Sequence, residues 1–240
     1  MAAMIAAVHR QAARVVTAAR THLIAFALPQ RCPGCGAEAT GTHVLCDACF
    51  AGIPPLSFPL CARCLLAGRD PSGCARHGRH AVWAARLYDE RAAHVVHAFK
   101  YHARPGVARV MADAITETLP SALRPDLVAA APLHAARRRE RGFDPAAVLA
   151  RAVAERLDAP YLHDALVRTR ATRPQVGLPE RARRENMRDA FDAPNPTRLR
   201  GRRVLVVDDV LTTGATLAAA LDALSAAGAQ GVGAAFAWAQ

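Results

Sequence analysis

Lysine is almost absent from this 240-residue chain, and with it the nucleotide-binding motif that depends on lysine. Lys100 is the single lysine, and it follows Phe99. A P-loop needs Gly-Lys-Ser/Thr, so P-loop chemistry is excluded. No G-x-G-x-x-G sequence follows a predicted strand, which argues against dinucleotide binding.

Aromatic residues are also scarce, at 5% of a chain that is 52% apolar. The core must therefore be built from alanine, valine and leucine. The net charge of +11 is carried almost entirely by arginine, whose planar guanidinium suits phosphate groups. This charge favours a phosphate-bearing partner. The alternative is that the arginine content reflects a general compositional bias of the proteins of the source organism.

Acidic residues are missing from the first thirty positions, which contain Arg10, Arg14 and Arg20 and end in the apolar run Leu23–Leu28. This run is too short to span a bilayer and comes too late for a signal peptide. We predict a basic N-terminal helix over residues 1–30, no membrane insertion and a cytoplasmic protein.

All seven cysteines lie between Cys32 and Cys74. Closely spaced C-x2-C pairs suit tetrahedral Zn²⁺, whereas a disulfide framework needs an oxidising compartment and would leave one cysteine unpaired. We predict structural zinc in a module over residues 31–80. The two ligand sets are Cys32, Cys35, Cys46 and Cys49 (the first cluster), and Cys61, Cys64, Cys74 and His77 (the second cluster). His80 is the alternative to His77 in the second cluster. The spacing leaves open whether the pairs combine sequentially or cross over.

Beyond residue 80, short apolar runs alternate with helical stretches. The alternation predicts an α/β domain over residues 81–240, with a parallel sheet and flanking helices. Asp144 and Pro145 are typical of a helix start. The predicted strands are Ala81–Tyr88, Leu127–Ala131, Val204–Val207 and Val232–Trp238. The predicted helices are Arg91–Tyr101, Gly106–Leu119, Ala146–Leu157 and Ala215–Ala226.

The segment Val204–Thr216 reads VLVVDDVLTTGAT, which is a buried strand, two carboxylates and a Thr-Gly turn that opens a helix. Ligands of such sheets bind beyond the carboxyl ends of the strands. Asp208 and Asp209 (the acidic pair) can accept hydrogen bonds from ribose hydroxyls there. Leu211–Thr216 (the phosphate turn) can hold a phosphate at the helix N-terminus. An acidic strand end before an ordinary capped helix is the alternative.

This segment resembles the motif with which type I phosphoribosyltransferases bind 5-phosphoribosyl-1-pyrophosphate (PRPP). The resemblance implies that the acidic pair contacts the ribose and that the turn holds the 5-phosphate. Purine-salvage members commonly have an acidic residue at the position of Thr212, so oxopurine salvage is disfavoured. We include Lys100 among the PRPP-binding residues. The others are Asp208, Asp209, Val210, Leu211, Thr212, Thr213, Gly214, Ala215 and Thr216.

The order of motifs along nearly the whole chain is similar to that of the ComF (ComFC/GntX) family of competence-related proteins. After the cysteines come FKYHARPG, APLHAARRRERGFD, RTRATRPQ, RARRENMRDAF and the PRPP motif. The resemblance implies a type I phosphoribosyltransferase fold preceded by a cysteine-rich zinc module, and a link with natural transformation. The family often has C-x-x-C where this chain has Cys74 and His77, so the second cluster departs from the pattern.

Arginines fill two further segments. Arg137 and Arg141 follow the strand Leu127–Ala131, and we predict that they neutralise pyrophosphate with Mg²⁺, as catalytic residues beside Asp208 and Asp209. A solvated basic face is the alternative. The long basic segment 168–188 can close over PRPP or hold a nucleic-acid backbone.

Two functions stay open. The first is Mg²⁺-dependent transfer of phosphoribosyl from PRPP to an unidentified nitrogen acceptor. The second is a non-catalytic protein that senses PRPP and engages single-stranded DNA, a competence helicase and other DNA-uptake proteins. The complete acidic pair and turn favour PRPP binding in both cases, whereas the missing base-side acid and the arginine excess favour the second.

Overall fold

The computed structural model describes residues 30–32, 35–39, 45–66, 74, 77, 80–102, 105–133, 143–169 and 190–240. In chain order the elements are β1 (Gln30–Arg31), β2 (Glu38–Ala39), α1 (Asp47–Ala51), β3 (Pro59–Cys61), β4 (Ala81–Leu87), α2 (Glu90–His102), α3 (Pro105–Thr118), β5 (Leu127–Ala130), α4 (Pro145–Leu157), β6 (Val167–Arg168), β7 (Phe191–Asp192), α5 (Pro196–Leu199), β8 (Arg203–Leu211), α6 (Ala215–Ala226) and β9 (Gln230–Trp238).

The main sheet has five strands in the order β3-β4-β9-β8-β5. The four strands from β4 to β5 are parallel, as the alternation of strands and helices predicts. β3 was not predicted, since three residues beginning with a proline show no periodicity. It pairs antiparallel with β4, Leu60 opposite Val82, so the end of the cysteine-rich segment lies in the same sheet as the α/β body.

Each face of the sheet packs its own apolar core, because successive strand residues point to opposite sides. In β8, Leu205 and Val207 face the core formed with α2, α3 and α4. Val204 and Val206 face the core formed with α6. These cores consist mainly of alanine, valine and leucine, as the composition requires.

Strand β8 is longer than predicted, and the extension determines where the acidic pair lies. The sequence predicts that the strand ends at Val207, but β9 pairs with β8 as far as Leu211, opposite Trp238. On the other side β5 ends at Ala130, opposite Val207. The acidic pair therefore lies within β8, in the part of the strand (Asp208–Leu211) that extends past the end of β5.

The start of α4 confirms the predicted cap. The carboxylate of Asp144 accepts a hydrogen bond from the amide of Ala147 at 3.2 Å, with Pro145 at the first helical position. The predicted N-terminal helix lies outside the described residues except for Gln30, and the boundaries at residues 30 and 80 stay predictions. Among the described helices, none combines the length and apolar character needed to cross a membrane.

Candidate functional site

The acidic pair meets Lys100 at the end of the sheet where β5 stops. Helix α2 packs on the face of the sheet toward which Asp209 points, and it brings the ammonium Nζ of Lys100 to 2.9 Å from Oδ1 of Asp209. The Asp209 side chain is 12% exposed and that of Lys100 is 23% exposed. Partial burial on both sides makes this pair stronger than an exposed ion pair of the same length.

Asp208 occupies the opposite side of β8. Its Oδ1 accepts a hydrogen bond from the backbone amide of Asp209 at 2.8 Å. Burial, and then the negative charge of Asp209, raises the pKa of Asp208 to about 7, although Lys100 acts in the opposite direction. A carboxyl that is costly to ionise without a ligand is typical of a site that receives hydroxyl donors or a cation.

The phosphate turn follows directly and leads into α6. Gly214 has φ 72° and is the N-cap of that helix. Thr213 is buried and Thr212 is exposed, and the Thr213 hydroxyl lies 3.5 Å from the amide of Ala215. A glycine N-cap has no side chain to accept hydrogen bonds from the first helical amides, so these amides suit an anion.

Gly214 also lies against the second cluster, a contact that the sequence did not predict. A Cβ on Gly214 would be 1.9 Å from the carbonyl oxygen of Ala62 and 3.2 Å from Cδ2 of Leu65. Ala62 is fully buried between two of the cluster's cysteines. Ala62 has no functional side chain that would single it out in the sequence. The only local signal for this contact is Gly214, because glycine is common where two backbones approach closely.

The first cluster brings together all four predicted ligands. The sulfurs of Cys32, Cys35, Cys46 and Cys49 lie within 4.8 Å of one another. Those of Cys35 and Cys46 are 3.6 Å apart, and the Cys32 sulfur accepts a hydrogen bond from the amide of Cys46 at 3.3 Å. Zinc–sulfur bonds of about 2.3 Å in a tetrahedral site separate the sulfurs by about 3.8 Å, so the spacing fits zinc.

The second cluster has the same geometry with a histidine as its fourth ligand. Nδ1 of His77 lies 3.5 Å from the sulfur of Cys61 and 3.7 Å from that of Cys74, and the sulfurs of Cys64 and Cys74 are 3.9 Å apart. His77 rather than His80 lies with the three cysteines, because Nδ1 of His80 is 2.7 Å from the carbonyl oxygen of His77 instead. In both clusters the pairs combine sequentially.

Cysteines of both clusters are hard to ionise on their own. A hydrogen bond to Cys35, and then burial, raises the pKa of Cys49 to about 12. Burial likewise raises the pKa of Cys61. Metal binding displaces the protons of such thiols, and four N/S ligands around one point are the set of a structural zinc site.

Several predicted residues lie elsewhere. Arg137 and Arg141 fall outside the described residues, as does the predicted segment 168–188 except for Arg168 and Thr169, so their predicted roles stay predictions. Val210 and Leu211 continue β8, and Ala215 and Thr216 form the first residues of α6. Among the described residues predicted to bind PRPP, the structure thus brings Lys100, the acidic pair and the turn to one end of the sheet.

Comparison with protein families finds two matching domains in the chain. Residues 23–81 match the double zinc ribbon domain, and residues 144–240 match the phosphoribosyl transferase domain. The chain therefore has a type I phosphoribosyltransferase fold preceded by a zinc module, as its sequence predicts. A solved structure described as the allosteric regulatory enzyme of purine biosynthesis is 24% identical over 57% of this chain and 29% of that chain, with a TM-score of 0.39.

The relatives cover more of the chain. The DNA utilization protein YhgH of Escherichia coli O157:H7 is 29% identical over 78% of this chain and 74% of its own length. Competence protein F of Haemophilus influenzae is 30% identical over 72% of this chain and 80% of its own length. Since the similarity extends over most of both proteins, the chain belongs to the ComF family of competence-related proteins.

Proposed function

We propose that this protein binds PRPP at the end of β8 and transfers its phosphoribosyl group, with Mg²⁺, to an unidentified acceptor. In this proposal the acidic pair accepts hydrogen bonds from the ribose 2′- and 3′-hydroxyls. The phosphate turn holds the 5-phosphate at the positive end of α6. The remaining predicted contacts come from Lys100 and, at the pyrophosphate, from Arg137 and Arg141.

The observation that carries the proposal is the convergence of opposite charges at one strand end. The ammonium of Lys100 lies 2.9 Å from the carboxylate of Asp209, next to a helix N-terminus. PRPP carries hydroxyls that suit carboxylates and phosphates that suit an ammonium and backbone amides. An ordinary capped helix, the alternative, does not account for a partly buried lysine–aspartate pair beside the cap.

Mg²⁺ fits this site through its oxygen donors. The acidic pair offers carboxylate oxygens, which Mg²⁺ prefers, and phosphates of the substrate supply the others. The ion would neutralise charge on the departing pyrophosphate. The protein's own part is to orient the ribose and to place positive groups near the leaving group, which lowers the barrier to breaking the C1–oxygen bond.

A role in DNA uptake is the second part of the proposal. The relatives are named for DNA utilization and competence, and this chain carries a net charge of +11. Such a charge favours single-stranded DNA as a partner, alongside a competence helicase and other uptake proteins. A cytoplasmic location belongs to the proposal, because zinc thiolates persist in a reducing compartment. If the DNA part is right, affinity for single strands falls steeply with salt.

Calorimetry with the double variant Asp208→Asn, Asp209→Asn tests the binding site. We expect PRPP affinity to fall at least about 100-fold, because charged hydrogen bonds are worth about 1.5–3 kcal/mol each. Asp158→Asn is the matched control, since Asp158 is exposed and already has the left-handed backbone that asparagine tolerates. Equal affinity in the double variant and the control would overturn the site.

Pyrophosphate release separates the two open functions. The purified protein is incubated with PRPP, Mg²⁺ and a panel of bases and nucleotides. Release that depends on one acceptor establishes a transferase. If the protein binds PRPP but releases no pyrophosphate with any acceptor, the result favours the second function, a non-catalytic PRPP sensor that binds DNA.

A further inference from the structure

The second cluster touches the phosphate turn more closely than two separately folded parts need to. Ala62 lies between the ligands Cys61 and Cys64 and has no exposed surface. Its carbonyl oxygen occupies the space that a Cβ of Gly214 would need, with 1.9 Å between them. The backbone of the metal loop and the backbone of the turn are therefore in direct contact, with no space for a side chain between them.

A second tie joins the same cluster to α6, two turns further along. Both terminal carboxylate oxygens of Asp222 lie 2.6 Å from one guanidinium nitrogen of Arg63. Nε2 of His80 lies 2.8 Å from Oδ1 of Asp222, and its Nδ1 lies 2.7 Å from the carbonyl oxygen of the ligand His77. The metal loop thus contacts α6 at its N-cap, Gly214, and again at Asp222.

The first cluster packs elsewhere. Cys32 and Cys49 belong to the core on the opposite face of the sheet, together with α2 and α3. Ala62 belongs to the core around α6, together with Ala215 and Leu217. Two metal sites of similar chemistry therefore lie on opposite sides of the sheet, and the second is the one in contact with the turn.

We propose that the second cluster, with its metal bound, is a positioning element of the PRPP site. The metal fixes Cys61 and Cys64, which fix Ala62 against Gly214 and Arg63 on Asp222, so the amides of the phosphate turn stay aligned on the 5-phosphate. This inference rests on the proposed PRPP binding. Because coupling between two sites is reciprocal, bound PRPP also raises the affinity of the second cluster for its metal and leaves that of the first cluster unchanged.

Single-ligand variants separate the clusters. Cys74→Ala removes one ligand from the second cluster, and Cys35→Ala removes one from the first, where Cys35 is exposed and its loss leaves no core cavity. We expect PRPP affinity to fall about 5- to 20-fold in Cys74→Ala, a usual range for coupled sites. In Cys35→Ala we expect PRPP affinity to stay within about twofold of that of the unaltered protein. Cys74→His restores a zinc ligand, and we expect it to bind PRPP with the affinity of the unaltered protein. Equal losses in both alanine variants would overturn the proposal.

Hydrogen exchange separates failure of this inference from failure of the proposed function. Without PRPP, the amides of residues 214–218 exchange faster in Cys74→Ala than in Cys35→Ala if the metal loop positions the turn. Unchanged exchange there contradicts the positioning role even when PRPP binds. Faster exchange in a protein that binds no PRPP contradicts the proposed function and leaves the mechanical link intact.

Metal affinity in the unaltered protein provides a second test, in which a variant serves only to assign the two steps. Zinc is titrated out of the protein to equilibrium with increasing chromogenic chelator, with and without saturating PRPP. We expect two steps, of which one shifts to a chelator concentration about 5-fold higher or more with PRPP. Cys35→Ala, which retains the second cluster, identifies the shifted step. Two steps that are both unaffected, or a shifted step that belongs to the first cluster, would overturn the proposal.

Discussion

The two clusters of this protein use nearly the same chemistry and lie on opposite faces of one sheet. The first has four cysteines and packs with α2 and α3. The second has three cysteines and His77, and the loop between its first two ligands packs against Gly214. Ligand sets alone would make both clusters folding devices. Because the loop of the second cluster packs against Gly214, we expect this cluster to affect PRPP binding as well.

This difference follows from the position of β3. The strand ends at Cys61, so the first ligand of the second cluster belongs to the main sheet. The chain leaves the sheet there at the side on which α6 begins, and the turn between Cys61 and Leu65 is closed by a backbone hydrogen bond of 2.7 Å. A zinc loop anchored in this way transmits its position to the turn through backbone contact, without a flexible side chain between them.

Exchanging Gly214 for alanine breaks the contact directly, and we expect the largest effect from it. The new Cβ overlaps the Ala62 carbonyl and the residue must keep a φ of 72°. Overpacking costs about 1–3 kcal/mol, and a left-handed alanine costs about 1–2 kcal/mol. We expect the free energy of unfolding to fall by about 2–5 kcal/mol, PRPP binding to be lost, and zinc to leave the second cluster first.

Gly201→Ala is the control for this variant. Gly201 has a φ of 73° and open space where its Cβ would be, so it carries the backbone penalty without the contact. Chemical denaturation should show a loss of about 1–2 kcal/mol with PRPP affinity unchanged. Similar losses in the two variants would show that the metal loop yields to the methyl group.

The sequence predicted the parts of this arrangement but not their contact. Cysteine spacing identified both ligand sets, and the apolar run before Asp208 identified the central strand, because spacing and periodicity are local signals. The extension of β8 to Leu211 depends on pairing with β9. The meeting of Ala62 with Gly214 depends on the tertiary fold, and an alanine carbonyl has no sequence signature. Lys100 is included among the predicted PRPP-binding residues, but its ion pair with Asp209 is a tertiary contact that the sequence does not predict.

We expect Asp208→Asn to raise the stability of the protein and to lower its affinity for PRPP. Its effects on stability and on binding can therefore be separated, unlike those of Gly214→Ala. The raised pKa of Asp208 means that the folded protein holds a proton that the unfolded chain releases at its ordinary pKa of 3.8. Stability from this group is thus full below that value and is lost as the pH rises to about 7. At pH 8 we expect the variant's Tm to exceed that of the unaltered protein by about 2–4 °C for each kcal/mol regained.

Calorimetric scans across pH check this. The difference in Tm should grow from about pH 4 to about pH 7 and then level off, while PRPP affinity is reduced throughout. The exposed variant Asp158→Asn should show no such trend. A variant that is less stable than the unaltered protein at pH 8 would mean that the charged carboxylate is already satisfied without a ligand.

Two ion pairs of similar exposure offer the mildest test. Arg63 and Asp222 have side chains that are 40% and 48% exposed, and they join the second cluster to α6. Arg156 and Asp113 are 41% and 45% exposed, and they join α4 to α3. Exposed pairs contribute about 0.2–1 kcal/mol, so Asp222→Asn and Asp113→Asn should destabilise the protein by similarly small amounts.

PRPP affinity should distinguish them. We expect a loss of about 2- to 5-fold in Asp222→Asn, corresponding to less than about 1 kcal/mol, and no change in Asp113→Asn. Although partial burial raises it, hydrogen bonds from His80 and Arg63 bring the pKa of Asp222 below its ordinary value of 3.8. The stability from this pair is therefore present above pH 3.8 and is lost as the pH falls further. PRPP binding is measured near neutral pH, where the ion pair of Asp222 is intact. Equal PRPP affinity in the two variants would mean that the second cluster acts on the phosphate turn through the Ala62 contact alone.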